Sequence, residues 1–154
     1  MFKSRKFNLY SGLGLDETSS LLSFDSALIN AGVASYNLVK VSSILPPNFV
    51  LCNNIDIADG DVMFTAFAHY ARKGHGIISA AAAVGVPKYK SNVGVIMEYS
   101  GDCGKKEAEN KVQKMVTIAM KNHNIEIDKI ISTSKEAILI SDIFTSVVAG
   151  IALW

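Results

Sequence analysis

The last twelve residues, Ile143 to Trp154, read IFTSVVAGIALW and contain no charge. A run this short does not span a bilayer as a helix, which takes about 20 residues. It suits a buried strand, and the rest of the chain must then cover it. The preceding segments supply more strands. YNLVKVS, VMFTAFAHYA, NVGVIMEYSG, IEIDKIISTS and AILI are rich in β-branched and aromatic residues. Phe7 to Tyr10 reads as a short strand, followed by a Gly-rich loop, SGLGLDETSS, that ends in helix-capping residues. Pro46 and Pro47 cannot continue a ladder, so a loop opens there, and IADGD marks a turn. GIISAAAAVGVP stays ambiguous, because its alanines favour helix while its flanking Gly and Pro favour a short buried segment.

Two helices stand out. In LLSFDSALINAG, Leu21, Leu22, Leu28 and Ile29 fall at helical spacing and Gly32 provides a stop. A longer helix follows Asp102 as its cap. Ala108, Val112, Met115, Val116, Ala119 and Met120 share one face, and Lys105, Lys106, Glu109, Lys111 and Lys114 the other. Two helices against six or more strands predict an α+β domain of mostly antiparallel sheet covered by helices.

A chain of 154 residues suits one domain, 1–154, with a proper core. Fifteen basic and fourteen acidic residues leave a net charge of +1, which makes no electrostatic case for nucleic acid or an anionic membrane. Low charge with high apolar content points to surface hidden in an oligomer. Cys52 and Cys103 have no CxxC spacing, so free thiols in a reducing cytoplasm are expected. MFKSRKFNLYSG is basic but lacks the apolar core of a signal peptide. His69 and His75 have no carboxylate between them, so no metal site is expected. Gly12 and Gly14 lack the third glycine of a dinucleotide fingerprint, and there is no G-x-S-x-G.

Three polar features sit awkwardly. Asp25 shares a helix face with Leu21 and Leu28 (i, i+4, i+7). Either the stripe has drifted and Asp25 meets solvent, or the carboxylate awaits a cationic ligand, since an unpaired buried charge is costly. Glu98 follows five uncharged residues and shares a strand face with Gly94 and Ile96. It is either a solvated strand end or a desolvated proton donor with a raised pKa. Ser42-Ser43 ends a strand on which Asn37, Val39, Val41 and Ser43 point one way, and by local pattern the pair is a turn.

As a set, FDSALINAG, NLVKVSSILPPN, IISAAAAVGVPK and VGVIMEYSG, with the terminal AGIALW, resemble the pyruvoyl-dependent arginine decarboxylases, small archaeal-type enzymes related to pyruvoyl histidine decarboxylases. The NLVKVSSILPP block is the most specific, and the matching blocks run from about residue 12 to 154. The resemblance implies a four-layer αββα sandwich, assembled as a trimer or hexamer with sites between subunits. It implies self-cleavage at Ser42–Ser43 into a β chain, 1–42, and an α chain, 43–154, whose first residue becomes a pyruvoyl group. No PLP and no metal would then be needed. Asn37 matches the residue assisting cleavage. Glu98 matches the proton donor, and Asp25 the carboxylate that binds the guanidinium. Leu21, Leu28, Ala34, Tyr36 and Ile44 match substrate contacts, with Ala34 where glycine is expected. The implied reaction converts arginine to agmatine and CO₂ through a Schiff base to the Ser43-derived ketone. The alternatives are another cationic amino acid, such as histidine or ornithine, or a trimeric binding protein that never processes. VMFTAFAHYARKGHG is the poorest match.

Overall fold

The structure is a computed structural model describing residues 5–154; the first four residues of the basic N-terminal stretch lie outside the described residues. The elements run β1 (Lys6–Asp16), α1 (Ser20–Asn30), β2 (Asn37–Lys40), β3 (Ile44–Leu45), β4 (Val50–Leu51), β5 (Val62–Arg72), β6 (Ile77–Pro87), β7 (Gly94–Gly101), α2 (Lys105–Asn122), β8 (Ile127–Ile138) and β9 (Phe144–Leu153). One sheet has the order β2-β5-β9-β1-β4 and the other β3-β7-β6-β8. The second sheet is wholly antiparallel, whereas in the first only the short edge strands β2 and β4 pair parallel.

The apolar C-terminal run is strand β9, central in its sheet, between β1 and β5. Its period of two sends Val147, Ala149, Ile151 and Leu153 into the core between the sheets. Val148 and Ala152 face the opposite way, beneath α1. Strand β6 plays the same part in the second sheet. Ala80, Ala82 and Val84 face the first sheet, while Ala81 and Ala83 lie under α2. The layers are therefore α1, sheet, sheet, α2, an α+β fold with two helices and nine strands among the described residues. GIISAAAAVGVP resolves as a full strand, because a strand covered on both faces needs small residues where the helix and the opposing sheet close in.

Five sequence expectations change. The Gly-rich segment is not a loop, for β1 runs straight through it to Asp16. Glycine is needed there because α1 lies directly on the strand. A Cβ on Gly12 would sit 2.1 Å from the Ala27 carbonyl oxygen, and one on Gly14 2.1 Å from that of Ser23. The inward face of α1 is consequently Ser23 and Ala27. Leu21, at 73% exposure, and Ile29, at 64%, face solvent, as does Leu22. The periodicity was right and its phase wrong, because close backbone approach selects small residues over leucines. Finally, α2 is capped by Gly104, without a side-chain cap, and Met115 stands partly out of its buried stripe. Asp102 instead pairs with Arg72 at 3.0 Å. Of the expected strand AILI, Ala137 and Ile138 form the end of β8, and Leu139 and Ile140 lie beyond it, outside any strand.

Candidate active site

Ser42 and Ser43 carry the chain from one sheet to the other. Up to Val41 it follows β5, and the Val41 amide donates to the Thr65 carbonyl at 2.9 Å. From Ser43 it follows β7, where the Ile96 amide donates to the Ser43 carbonyl at 2.7 Å. The bond between the serines thus spans two layers held by separate ladders. Ser42 is exposed, Ser43 is half-buried, and the chain bends at Ser43, which ends the strand alternation before it. Among the described residues no hydrogen bond reaches the Ser42 carbonyl or the Ser43 amide.

Glu98 lies on β7 two residues beyond Ile96, which is about 7 Å along a strand. It shares the inter-sheet face with Ile96 and is half-buried. Burial pushes its carboxyl above the ordinary range, against a smaller opposite pull from the Lys40 ammonium. Lys40, at the end of β2, also stands over the Phe67 ring at 4.9 Å.

The remaining residues are more dispersed. The Asn37 amide donates to the Gly60 carbonyl at 2.7 Å. Five residues of extended chain separate it from Ser42, about 16 Å, so within one protomer it is held at Gly60 and not at the Ser42 carbonyl. Asp25 faces solvent and has no hydrogen-bond or ionic partner among the described residues. Leu21 is exposed beside it, whereas Leu28 tucks partly against the core under α1. Ala34 is exposed in the turn after α1. Tyr36 is half-buried and lines a 440 Å³ cleft with Asn8, Tyr10, Asn53 and Asn54. Ile44, the first residue of β3, is 36% exposed opposite Val95. The fold therefore brings Ser42, Ser43, Ile44 and Glu98 together. It leaves Asp25 and Leu21 on the outer surface of another layer.

Two polar groups were given no role in the sequence: Lys40, which acts on Glu98, and His69, on the α1 side of β5. Lys40 has no local pattern to mark it. His69 shares a strand face with Thr65 and Phe67 at period two, a signal that was available. Its ring packs on Phe24 with centroids 4.0 Å apart, and burial lowers its pKa. Among the described residues no three His, Cys, Asp or Glu side chains gather as metal ligands, and no helix is long and apolar enough to cross a membrane.

Two stacked sheets under one helix each, with a serine pair strung between them beside a half-buried glutamate, define an α+β protein with a serine–carboxylate site. The model of the pyruvoyl-dependent arginine decarboxylase (PvlArgDC) family matches residues 6–154. A pyruvoyl-dependent arginine decarboxylase of Methanococcus aeolicus is 38% identical over 148 residues, covering 96% of this chain and 88% of the relative. Those of Methanocaldococcus jannaschii and Thermococcus kodakarensis are 40% and 37% identical, covering 84% and 77% of this chain and 78% and 76% of the relatives. The chain belongs to the pyruvoyl-dependent arginine decarboxylase family, a family of carboxy-lyases.

Proposed function

We propose that this protein is a self-processing decarboxylase that converts L-arginine to agmatine and CO₂. The observation that carries the reading is the Ser42–Ser43 crossover with Glu98 alongside, in a chain matched to the family from residue 6 to 154. The processing step uses the chain's own atoms. Ser43 Oγ attacks the Ser42 carbonyl carbon, the peptide C–N bond breaks, and the nitrogen takes up a proton. The resulting ester loses the Ser43 Cα proton, and the Cβ–O bond breaks to release Ser42 as a carboxylate. The remaining enamine tautomerises, and water replaces its nitrogen as ammonia. Residue 43 must therefore carry a β-oxygen, while residue 42 need only offer its carbonyl. The products are chains 1–42 and 43–154, the second beginning with the pyruvoyl group, and the whole is one catalytic domain.

The residues fit that group: Ser43 sits half-buried at the crossover, its carbonyl held by Ile96 and its amide without a hydrogen-bond partner among the described residues. When formed, the pyruvoyl group supplies a carbonyl that withdraws electrons as the substrate loses CO₂. Glu98, protonated to higher pH than an ordinary carboxylate, returns a proton to the carbon that lost CO₂. Ile44 lies next to residue 43 and lines the same site. Asp25 pairs with the guanidinium, flanked by Leu21 and Leu28, and Ala34 and Tyr36 complete the substrate contacts.

Asp25 and Asn37 lie away from Ser43 in one protomer, so the reading includes a homo-oligomer, trimer or hexamer, with sites shared between copies. The exposed Leu21, Leu22 and Ile29 on α1 provide apolar surface for such contacts. The free thiols of Cys52 and Cys103 accord with a cytoplasmic location. Denaturing mass spectrometry and CO₂ release from carboxyl-labelled arginine test the proposal together. Two polypeptides and labelled CO₂ are expected. A single 16.6 kDa species after prolonged incubation would overturn it and favour a non-processing binding protein. Asp25 selects positive charge without fixing chain length, so histidine and ornithine are the comparison substrates.

A further inference from the structure

His69 lies in the segment that least resembles the family, yet it joins the two elements that carry Asp25 and Glu98. On one side its Nε2 lies 3.4 Å from Ser146 Oγ, which lies 2.7 Å from Ser23 Oγ. Ser23 and Ser146 are fully buried. The direction of the chain follows from the single proton on each hydroxyl. Ser23 Oγ donates to the Ser20 carbonyl at 2.8 Å. Ser146 must then donate to Ser23, and His69 must donate from Nε2 to Ser146. A line of donors thus runs from β5 through β9 into the first turn of α1. The His69 ring also packs, tilted by 35°, against Phe24, the residue before Asp25. On the other side, Ser100 Oγ donates to the His69 carbonyl at 3.2 Å. Ser100 stands two residues beyond Glu98 on β7.

We propose that His69 is a positioning residue for arginine binding: through Phe24 and the Ser146–Ser23 chain its side chain seats α1, and with it Asp25, on the sheet beneath. This rests on the reading of Asp25 as the guanidinium-binding carboxylate. A helix that rocks on its strand moves Asp25 without touching the bonds that form or break, so binding suffers and chemistry does not.

The experiment compares His69→Ala, His69→Gln and Asp25→Asn with the double variant His69→Ala/Asp25→Asn in the processed enzyme. Hydrogen exchange of α1 amides is measured alongside. For His69→Ala the KM for arginine rises about tenfold, the size of one lost hydrogen bond with its packing, while kcat stays within about twofold. His69→Gln keeps an N–H donor and recovers most of that loss. In the double variant His69→Ala adds less than about twofold to Asp25→Asn, since both act on one contact. Exchange accelerates in α1 and not in α2. Equal KM effects in both backgrounds, or a fall in kcat with KM unchanged, would overturn the proposal. If Asp25→Asn leaves KM unchanged, the reading of Asp25 fails, and exchange alone decides the seating role: selective loosening of α1 supports it and an unchanged α1 overturns it.

Discussion

The Ser43 carbonyl accepts the Ile96 amide at 2.7 Å, two residues after Val41, where the chain leaves the opposite sheet. This bond is made by the backbone and does not depend on the Ser43 side chain. Ser43→Ala is therefore expected to fold with a Tm within about 2 °C of the parent, as for a substitution outside the core. It remains a single 16.6 kDa chain without activity. Intact mass and a thermal melt check both halves.

Glu98 is pulled two ways, upward by burial and downward by the Lys40 ammonium. Removing the cation leaves burial unopposed, so the carboxyl stays protonated to higher pH. In Lys40→Met the alkaline limb of the kcat–pH profile moves to higher pH, provided mass spectrometry shows normal cleavage. A limb that stays put or moves down refutes the role of Glu98 as proton donor.

Asp25→Asn removes one charge from an exposed side chain with no partner among the described residues, so the fold does not depend on it. Cleavage proceeds normally. The KM for arginine rises by roughly 10- to 100-fold, the range for losing a charge-assisted hydrogen bond. Steady-state kinetics with arginine settles this, and an unchanged KM removes Asp25 from the site.

Gly14→Ala places a methyl 2.1 Å from the Ser23 carbonyl oxygen, a backbone atom that no rotamer change can move. The helix must lift from β1. A loss of about 1–3 kcal/mol is expected from such overpacking, with a higher arginine KM because α1 carries Asp25. Urea denaturation and kinetics on the same preparation measure the two effects.

Asp16 ends β1 and accepts the amides of Thr18 at 2.7 Å and Ser19 at 2.9 Å, one turn before α1. These bonds, Ser19's foremost, hold its carboxyl below the ordinary 3.8. A depressed acid contributes stability that is present above its unfolded value and is lost as pH falls through the folded one. Tm measured from pH 6 downward falls on acidification through and below 3.8, and Asp16→Asn, which keeps an acceptor oxygen without the titration, flattens that fall.

Much of the layering was legible because period-two and helical patterns survive in the sequence. The residues of β7 alternate as expected, the C-terminal run is the buried strand expected of it, and α2 buries Ala108, Val112, Val116, Ala119 and Met120. The phase of α1 was not legible. Its leucines invite burial, but Gly12 and Gly14 bring its backbone so close to β1 that only Ser23 and Ala27 fit beneath it. The same two glycines, next to a capping motif, read as a loop.

By itself the sequence determined both helices and most of the strands, the family resemblance and the requirement for a β-oxygen at residue 43, since these follow from local pattern and from bond chemistry. Only the tertiary structure decided that Ser42–Ser43 bridges two sheets, that Glu98 is half-buried beside it, and that Asp25 and Asn37 lie elsewhere on the protomer. Those relations join residues far apart in the chain. They are set by which strands share a sheet and by how closely backbones approach, and no window of sequence contains either.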